Sequence, residues 1–335
     1  MRPIRRILVA VKDPTAKALP AVEKAAQLAR VFSARLELFH AISTPLYIDA
    51  YSPELSVPQI ERATRDKCLE QLAKIATKVR TRGVEVDISA AWDFPIYEAI
   101  VRRAAHQGAD LIVAECHAKP HVAPGFLQLT DWELLRTSTL PVLLVKTRAP
   151  YQRPVVLAAV DPDHSFAKPA TLDREILAVA KTVSKALRGP LHAVNAYIPF
   201  PSKSPPRRPL SDAEMRRLAT KTRQAARRGF QSAVALARIP KTQCHLLARH
   251  PIDAIEQTAR KTHSSIVVMG AIARSGVRRF IFGNTAEALL DSLRCDMLIV
   301  KPPGFPPRVQ KRARGVRFAP FPMFRLCSLA EENEP

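Results

Sequence analysis

An α/β fold built twice in tandem is what this sequence of 335 residues predicts, on three observations. Short continuous apolar runs such as Ile7–Val11 (ILVAV), Leu111–Glu115 (LIVAE) and Ile266–Met269 (IVVM) fit strands buried on both faces of a parallel sheet. Segments with apolar residues at helical spacing alternate with them. The order then returns: Val155–Val160 followed by Asp161-Pro162 repeats Ile7–Lys12 followed by Asp13-Pro14 at an offset of 148, and Val300-Lys301 repeats Val145-Lys146 at an offset of 155. A drift this small across half the chain means one domain duplicated, with insertions confined to loops.

In the first half, Ile7–Val11 is a strand closed by Asp13-Pro14. Leu19–Phe32 is a helix with Val22, Ala25, Ala26 and Ala29 on one face, and Leu36–Ala41 is the second strand. Ser43–Pro58 is broken by prolines, Gln59–Arg80 is a long amphipathic helix, and Val84–Ala90 alternates as a strand. Pro95–His106 is helical, Leu111–Glu115 a strand, Asp131–Arg136 a short helix and Val142–Lys146 the last strand. The boundary falls at Thr147–Arg153, where Pro150 and Pro154 punctuate the chain. In the second half Ile198–Pro209 is proline-rich, and a helix bearing Arg216, Arg217, Arg223, Arg227 and Arg228 follows. Pro251–Ile255 echoes Pro95–Ile100, and Ile266–Val268 echoes Leu111–Val113. The expected units are residues 1–148 and 153–303, with a flexible tail at 304–335.

Composition narrows the class. No apolar run reaches the ~18–20 residues that cross a bilayer, and the N-terminus leads directly into a strand, so a cytoplasmic protein is expected. Five scattered cysteines without CxxC spacing argue for reduced thiols over a disulfide framework or zinc ribbon. The net charge of +22 divides as +5 over residues 1–150, +14 over 151–303 and +3 over 304–335. A field of that sign attracts polyanions, nucleic acid or anionic lipid among them, and it is equally the mark of an arginine-rich proteome. Arg216, Arg223 and Arg227 fall on one helical face. Without interleaved aromatics for base stacking, a solvated face is the competing account of that stripe.

The candidate site lies in Ser265–Lys301, where a strand ends at Gly270, a basic loop with Arg274, Gly276, Arg278 and Arg279 follows, and Gly283-Asn284-Thr285 opens a helix. Loops leaving the carboxyl end of a parallel strand bind anions, because unpaired backbone N–H groups and the positive helix end point there. A tight turn with a solvated basic face explains the same residues. No Walker A loop, G-x-S-x-G elbow, H-E-x-x-H or Rossmann glycine fingerprint is present. No catalytic residue is therefore assigned, and none to a metal: Cys116, His117 and His121 are loosely spaced and lack a fourth ligand.

The duplicated unit with Asp-Pro after its first strand, the terminal VVMG…GNTAEALLDSLRCDMLIVK block and TDWELLRTSTLPVLLVK in the first half together resemble the tandem-domain universal stress proteins, over about residues 5–303. The resemblance implies two tandem doubly wound five-stranded parallel-sheet domains, paired as the family's homodimer pairs, a role in stress resistance and, in some members, ATP binding. It implies site positions at Asp161 for the adenosine moiety, at Ala196 for the backbone that meets adenine, and at Gly270, Ala273, Gly276, Gly283, Asn284 and Thr285 for phosphate. Ala273 stands where the nucleotide-binding pattern has glycine, and its methyl group disfavours positive φ by roughly 1 kcal/mol or more. In the first half Glu115-Cys116-His117 replaces the glycine loop, so that half is expected to support the fold without binding nucleotide.

The leading expectation is a non-enzymatic stress protein that takes ATP with Mg, or another small ligand, in its second domain, as an internal pseudo-dimer or a further homodimer. The alternatives are a basic interaction module for nucleic acid or anionic surfaces and a weak ATPase.

Overall fold

The computed structural model describes residues 3–43, 57–116, 130–162, 171–199, 211–270 and 284–302, with Gly304 and Val309. The tail, most of both proline-rich excursions and the loop carrying Ala273, Gly276 and Gly283 lie outside the described residues. So do Arg274, Arg278, Arg279, His117 and His121.

The first repeat runs β1 (Arg6–Ala10), α1 (Pro20–Phe32), β2 (Arg35–Ile42), α2 (Val57–Arg80), β3 (Val86–Trp92), α3 (Ile96–Gln107), β4 (Leu111–Glu115), α4 (Thr130–Thr137) and β5 (Val142–Val145). The second runs β6 (Val156–Ala159), α5 (Thr171–Ala186), β7 (Leu191–Tyr197), α6 (Asp212–Ala237), β8 (Cys244–Ala248), α7 (Pro251–Lys261), β9 (Ile266–Gly270), α8 (Asn284–Ser292) and β10 (Asp296–Val300). Local chemistry sets several ends. Proline opens α1, where its missing N–H costs nothing, and α2 begins at Val57, two residues earlier than the pattern suggests, because Pro58 is compatible with a first turn. Ser211 and Glu214 form a reciprocal capping box at the start of α6.

The two repeats share one ten-stranded sheet ordered β3-β2-β1-β4-β5-β10-β9-β6-β7-β8. Within each repeat neighbouring strands are parallel. The repeats join through an antiparallel β5–β10 pair in which Leu143 faces Leu298, flanked by Leu144↔Met297 and Val142↔Ile299. Leu298 is the counterpart of Leu143 at the offset of 155, so this pair meets its own equivalent. A pseudo-twofold axis passes through it, as in an isologous dimer interface.

Helices α1, α2, α5 and α6 cover one face of the sheet, with α3, α4, α7 and α8 on the other. Successive strand residues therefore enter opposite cores: Ile7, Val9, Val156 and Ala158 lie in one, Leu8, Ile112, Leu157 and Val267 in the other. Each core runs through both repeats, and that is why the strands read as unbroken apolar runs.

The seam carries a buried polar cluster absent from the sequence reading. Asp296, at the start of β10, is fully buried. One carboxylate oxygen accepts from the Lys146 and Thr147 N–H groups at 2.9 and 3.0 Å and from the Thr147 hydroxyl at 3.0 Å. The other accepts from Lys24 Nζ at 2.5 Å and from the Tyr151 hydroxyl at 2.6 Å. Burial, then the Asp296 charge, pushes the Tyr151 phenol well above its ordinary pKa, so it remains a donor. Lys24 Nζ also lies 4.7 Å from the centroid of the Tyr151 ring. Helix α1 of one repeat, the inter-repeat linker and β10 of the other thus close on one carboxylate.

Candidate functional site

The order within the second repeat, β8-β7-β6-β9-β10, turns in opposite directions on either side of the β6/β9 pair. Their carboxyl ends are therefore the topological switch point at which open α/β sheets bind ligands. Val156, Leu157 and Ala158 of β6 face Ile266, Val267 and Val268 of β9. Counting on in that register, Val160 stands opposite Gly270 and Asp161 one residue beyond.

Asp161 is half-buried, and its N–H donates to Asp173 Oδ1 at 3.1 Å. Asp173 is buried in the first turn of α5, where the helix dipole favours a carboxylate. Its side chain thereby fixes the backbone leaving β6. No hydrogen bond engages the Asp161 carboxylate among the described residues. In the first repeat the matching Asp13 is already committed: its Oδ1 accepts from the Thr15 N–H at 2.8 Å and the Thr15 hydroxyl at 2.6 Å. Those bonds, the hydroxyl first, hold the Asp13 carboxyl below its usual pKa.

The two aspartates are not strictly equivalent. Val11 N–H donates to Phe39 O, and Val160 N–H to Val194 O, so Val11 and Val160 correspond at an offset of 149. The sequence match at 148 is corrected by one residue, and Asp161 occupies the position held by Lys12 in the first repeat. The acidic group after β6 therefore reaches the crevice one position sooner than Asp13 does.

Gly270, the last residue of β9, is a glycine for a reason the spacing did not reveal. A Cβ there would lie 2.5 Å from Leu172 Cδ2, 2.9 Å from Leu172 Cγ and 3.1 Å from Ile176 Cδ1. The missing side chain makes room for the first turns of α5 against the strand. Its counterpart is Glu115, since Glu115 faces Val145 as Gly270 faces Val300. The first crevice consequently carries carboxylates at both Asp13 and Glu115, a poor surrounding for phosphate.

Ala196 is half-buried in β7 opposite Leu247 of β8. Asn284 and Thr285 open α8, whose first residues lie at the same carboxyl edge, and Thr285 is half-buried. The fold thus brings Asp161, Ala196, Gly270, Asn284 and Thr285 to one edge of the second repeat. Ala273, Gly276 and Gly283 lie outside the described residues. Asp173 and Leu172 are positioning residues that sequence reasoning missed. An acidic residue in a first helical turn was legible, but not its bond to a strand end twelve residues earlier.

Elsewhere the chemistry is muted. Burial, followed by the nearby Asp131 charge, pushes the Cys116 thiol up to about 12, so it remains protonated. His192 of β7 and His245 of β8 stack with ring centroids 5.3 Å apart and share a 2.9 Å Nδ1···Nε2 hydrogen bond. Burial lowers the pKa of both, with the neighbouring His192 and Lys261 adding to the effect on His245. No helix among the described residues is long and apolar enough to cross a membrane.

A tandem pair of β-α repeats sharing one ten-stranded sheet defines a class of duplicated α/β proteins. The universal stress protein family model matches residues 3–146 and 155–301, and the chain belongs to that family. Universal stress protein E of Escherichia coli K12 is 27% identical over 311 residues, covering 88% of this chain and 93% of its own length. The protein of the same name from Photorhabdus laumondii is 26% identical over 313 residues, covering 89% and 95%. Among solved structures, a protein of unknown function from Pseudomonas aeruginosa PAO1 superposes with a TM-score of 0.68 at 25% identity, covering 89% of this chain and 93% of its own. A universal stress protein from Archaeoglobus fulgidus gives 0.63 at 16% identity, covering 90% and 99%, which shows the shared fold.

Proposed function

We propose that this universal stress protein contributes to stress resistance in the cytoplasm without catalysing a reaction, and that its second repeat alone binds a small ligand, ATP with Mg being the first candidate. The contrast between the two crevices supports this reading most. Asp161 keeps an uncommitted carboxylate on a backbone braced by Asp173, whereas Asp13 is consumed by its own turn and Glu115 adds a second negative charge. Asp161 would accept from the ribose hydroxyls, the backbone at Ala196 would meet the base, and the N–H groups opening α8 at Asn284 and Thr285 would meet phosphate. Mg would neutralise the phosphate oxygens; the chain's own part is to orient the nucleoside and present N–H donors.

Calorimetric titration with ATP-Mg tests the reading. We expect one site per chain, weakened at least tenfold in Asp161→Ala and unchanged in Asp13→Ala. No heat at millimolar ATP, or two equal sites, would remove it.

A further inference from the structure

We infer that α6 is a docking surface for double-stranded nucleic acid, held through the phosphate backbone. The helix has 26 residues, roughly 39 Å at 1.5 Å per residue, yet its buried residues are Ala226, Phe230, Val234 and Ala237, all in the second half. It follows β7 and leads back to β8, so its first half overhangs the carboxyl edge of the sheet, and none of the residues 212–224 is buried.

That overhang and the turn after it carry Arg216, Arg217, Lys221, Arg223, Arg227 and Arg228. All six are exposed, and none makes an ion pair or a side-chain hydrogen bond among the described residues. At 100° per residue Arg216, Arg223 and Arg227 form one stripe, with Arg217, Lys221 and Arg228 a second beside it. Together they cover nearly half the circumference over roughly 18 Å of axis. The acidic residues of α6, Asp212 and Glu214, sit at its tip, and Glu214 is engaged in the cap with Ser211. A polyanion therefore meets this helix side-on.

The chain contains its own comparison. Helix α2 occupies the same place in the first repeat and is also basic, but acids interrupt its cations: Lys74 pairs with Glu70 at 2.7 Å, and Arg65 lies 3.9 Å from Asp66. All six cations of α6 are without an ion pair among the described residues, whereas two of the cations of α2 lie beside acids, a difference between the copies beyond what an arginine-rich composition gives both alike. Five of the six cations are arginines, whose planar fork suits phosphate oxygens. A duplex fits better than the alternatives. Single strands need aromatic platforms, which this face lacks. A helix lying on a membrane needs a continuous free apolar face, whereas α6 buries Phe230 and Val234 in the core and exposes Met215 and Leu218 near its start and Leu236 near its end, too far apart to form one.

Fluorescence anisotropy of the full chain with a labelled 20-base-pair duplex, together with flotation on phosphatidylserine vesicles, tests this. We expect binding that weakens about 10³-fold between 50 and 200 mM salt. It should be lost in the triple variant Arg216→Glu, Arg223→Glu, Arg227→Glu and kept in the α2 variant Arg62→Glu, Arg65→Glu, Lys67→Glu, both folded by circular dichroism. Absent duplex binding at low salt, equal loss in both variants, or vesicle binding without duplex binding would overturn the proposal. ATP affinity is read separately, so either conclusion can fail alone.

Discussion

At the residue scale, Gly270 and Asp161 show how a site is shaped by packing before any ligand enters. Gly270 is required by Leu172, whose side chain fills the space where a Cβ would stand. Gly270→Ala should therefore lose about 1–3 kcal/mol of stability in urea denaturation through overpacking. Adding Leu172→Ala, itself costly, should recover part of that loss, and a strictly additive double-mutant cycle would show that the two residues are not in conflict. The glycine itself was legible as a mark of a strand end next to a loop, but its reason was not, because Leu172 lies almost a hundred residues away and meets it only when α5 closes on the sheet. Asp161 was legible from Asp-Pro after an apolar run. That its carboxylate stays uncommitted while that of Asp13 does not depends on Thr15 and on the one-residue shift of Asp161 relative to Asp13.

At the scale of elements, apolar runs and helical spacing located the strands and helices of the first repeat, since parallel strands buried on both faces have little polar alternation to confuse them. What periodicity could not supply is which strands are neighbours. The His192–His245 pair exists only because β7 lies beside β8. Both imidazoles have folded pKa values below the ordinary value, so the unfolded chain binds more protons in the window beneath about pH 6.5. Their contribution is complete above that pH and is lost as pH falls through the lowered folded values. The neighbouring Lys261 cation opposes protonation of His245. Thermal unfolding between pH 7.5 and 5 should show this slope in the native chain and a flatter one in His192→Gln/His245→Gln; identical slopes would refute the assignment. The basic stripe of α6 was equally legible as a spacing. Its overhang, its lack of partners and its contrast with α2 required the packed structure.

At the scale of the whole molecule, duplication within one chain replaces the interface of two chains, and the seam has diverged from strict symmetry. Asp296 gathers Lys24, Thr147 and Tyr151 from the other repeat and the linker, a cluster possible only when both repeats are covalently joined and free to differ. Asp296→Ala should cost about 3–5 kcal/mol, because it leaves the buried Lys24 charge without a partner. Asp296→Leu with Lys24→Met should cost clearly less, and chemical denaturation of the three proteins distinguishes these outcomes. An equal loss in both would mean that packing, not charge, governs the seam.

The sequence by itself determined the α/β class and the duplication, because apolar periodicity and loop punctuation are local and each repeat reports on the other. Only the tertiary structure decided that the two halves form one sheet with two continuous cores, that Gly270 serves Leu172, and that Asp161 is braced by Asp173. It also decided that a buried carboxylate locks the seam and that the first half of α6 extends past the sheet edge while its second half packs on the core. Each of these depends on groups far apart in the chain meeting at packing distance, and on which charges are left without a partner once they do.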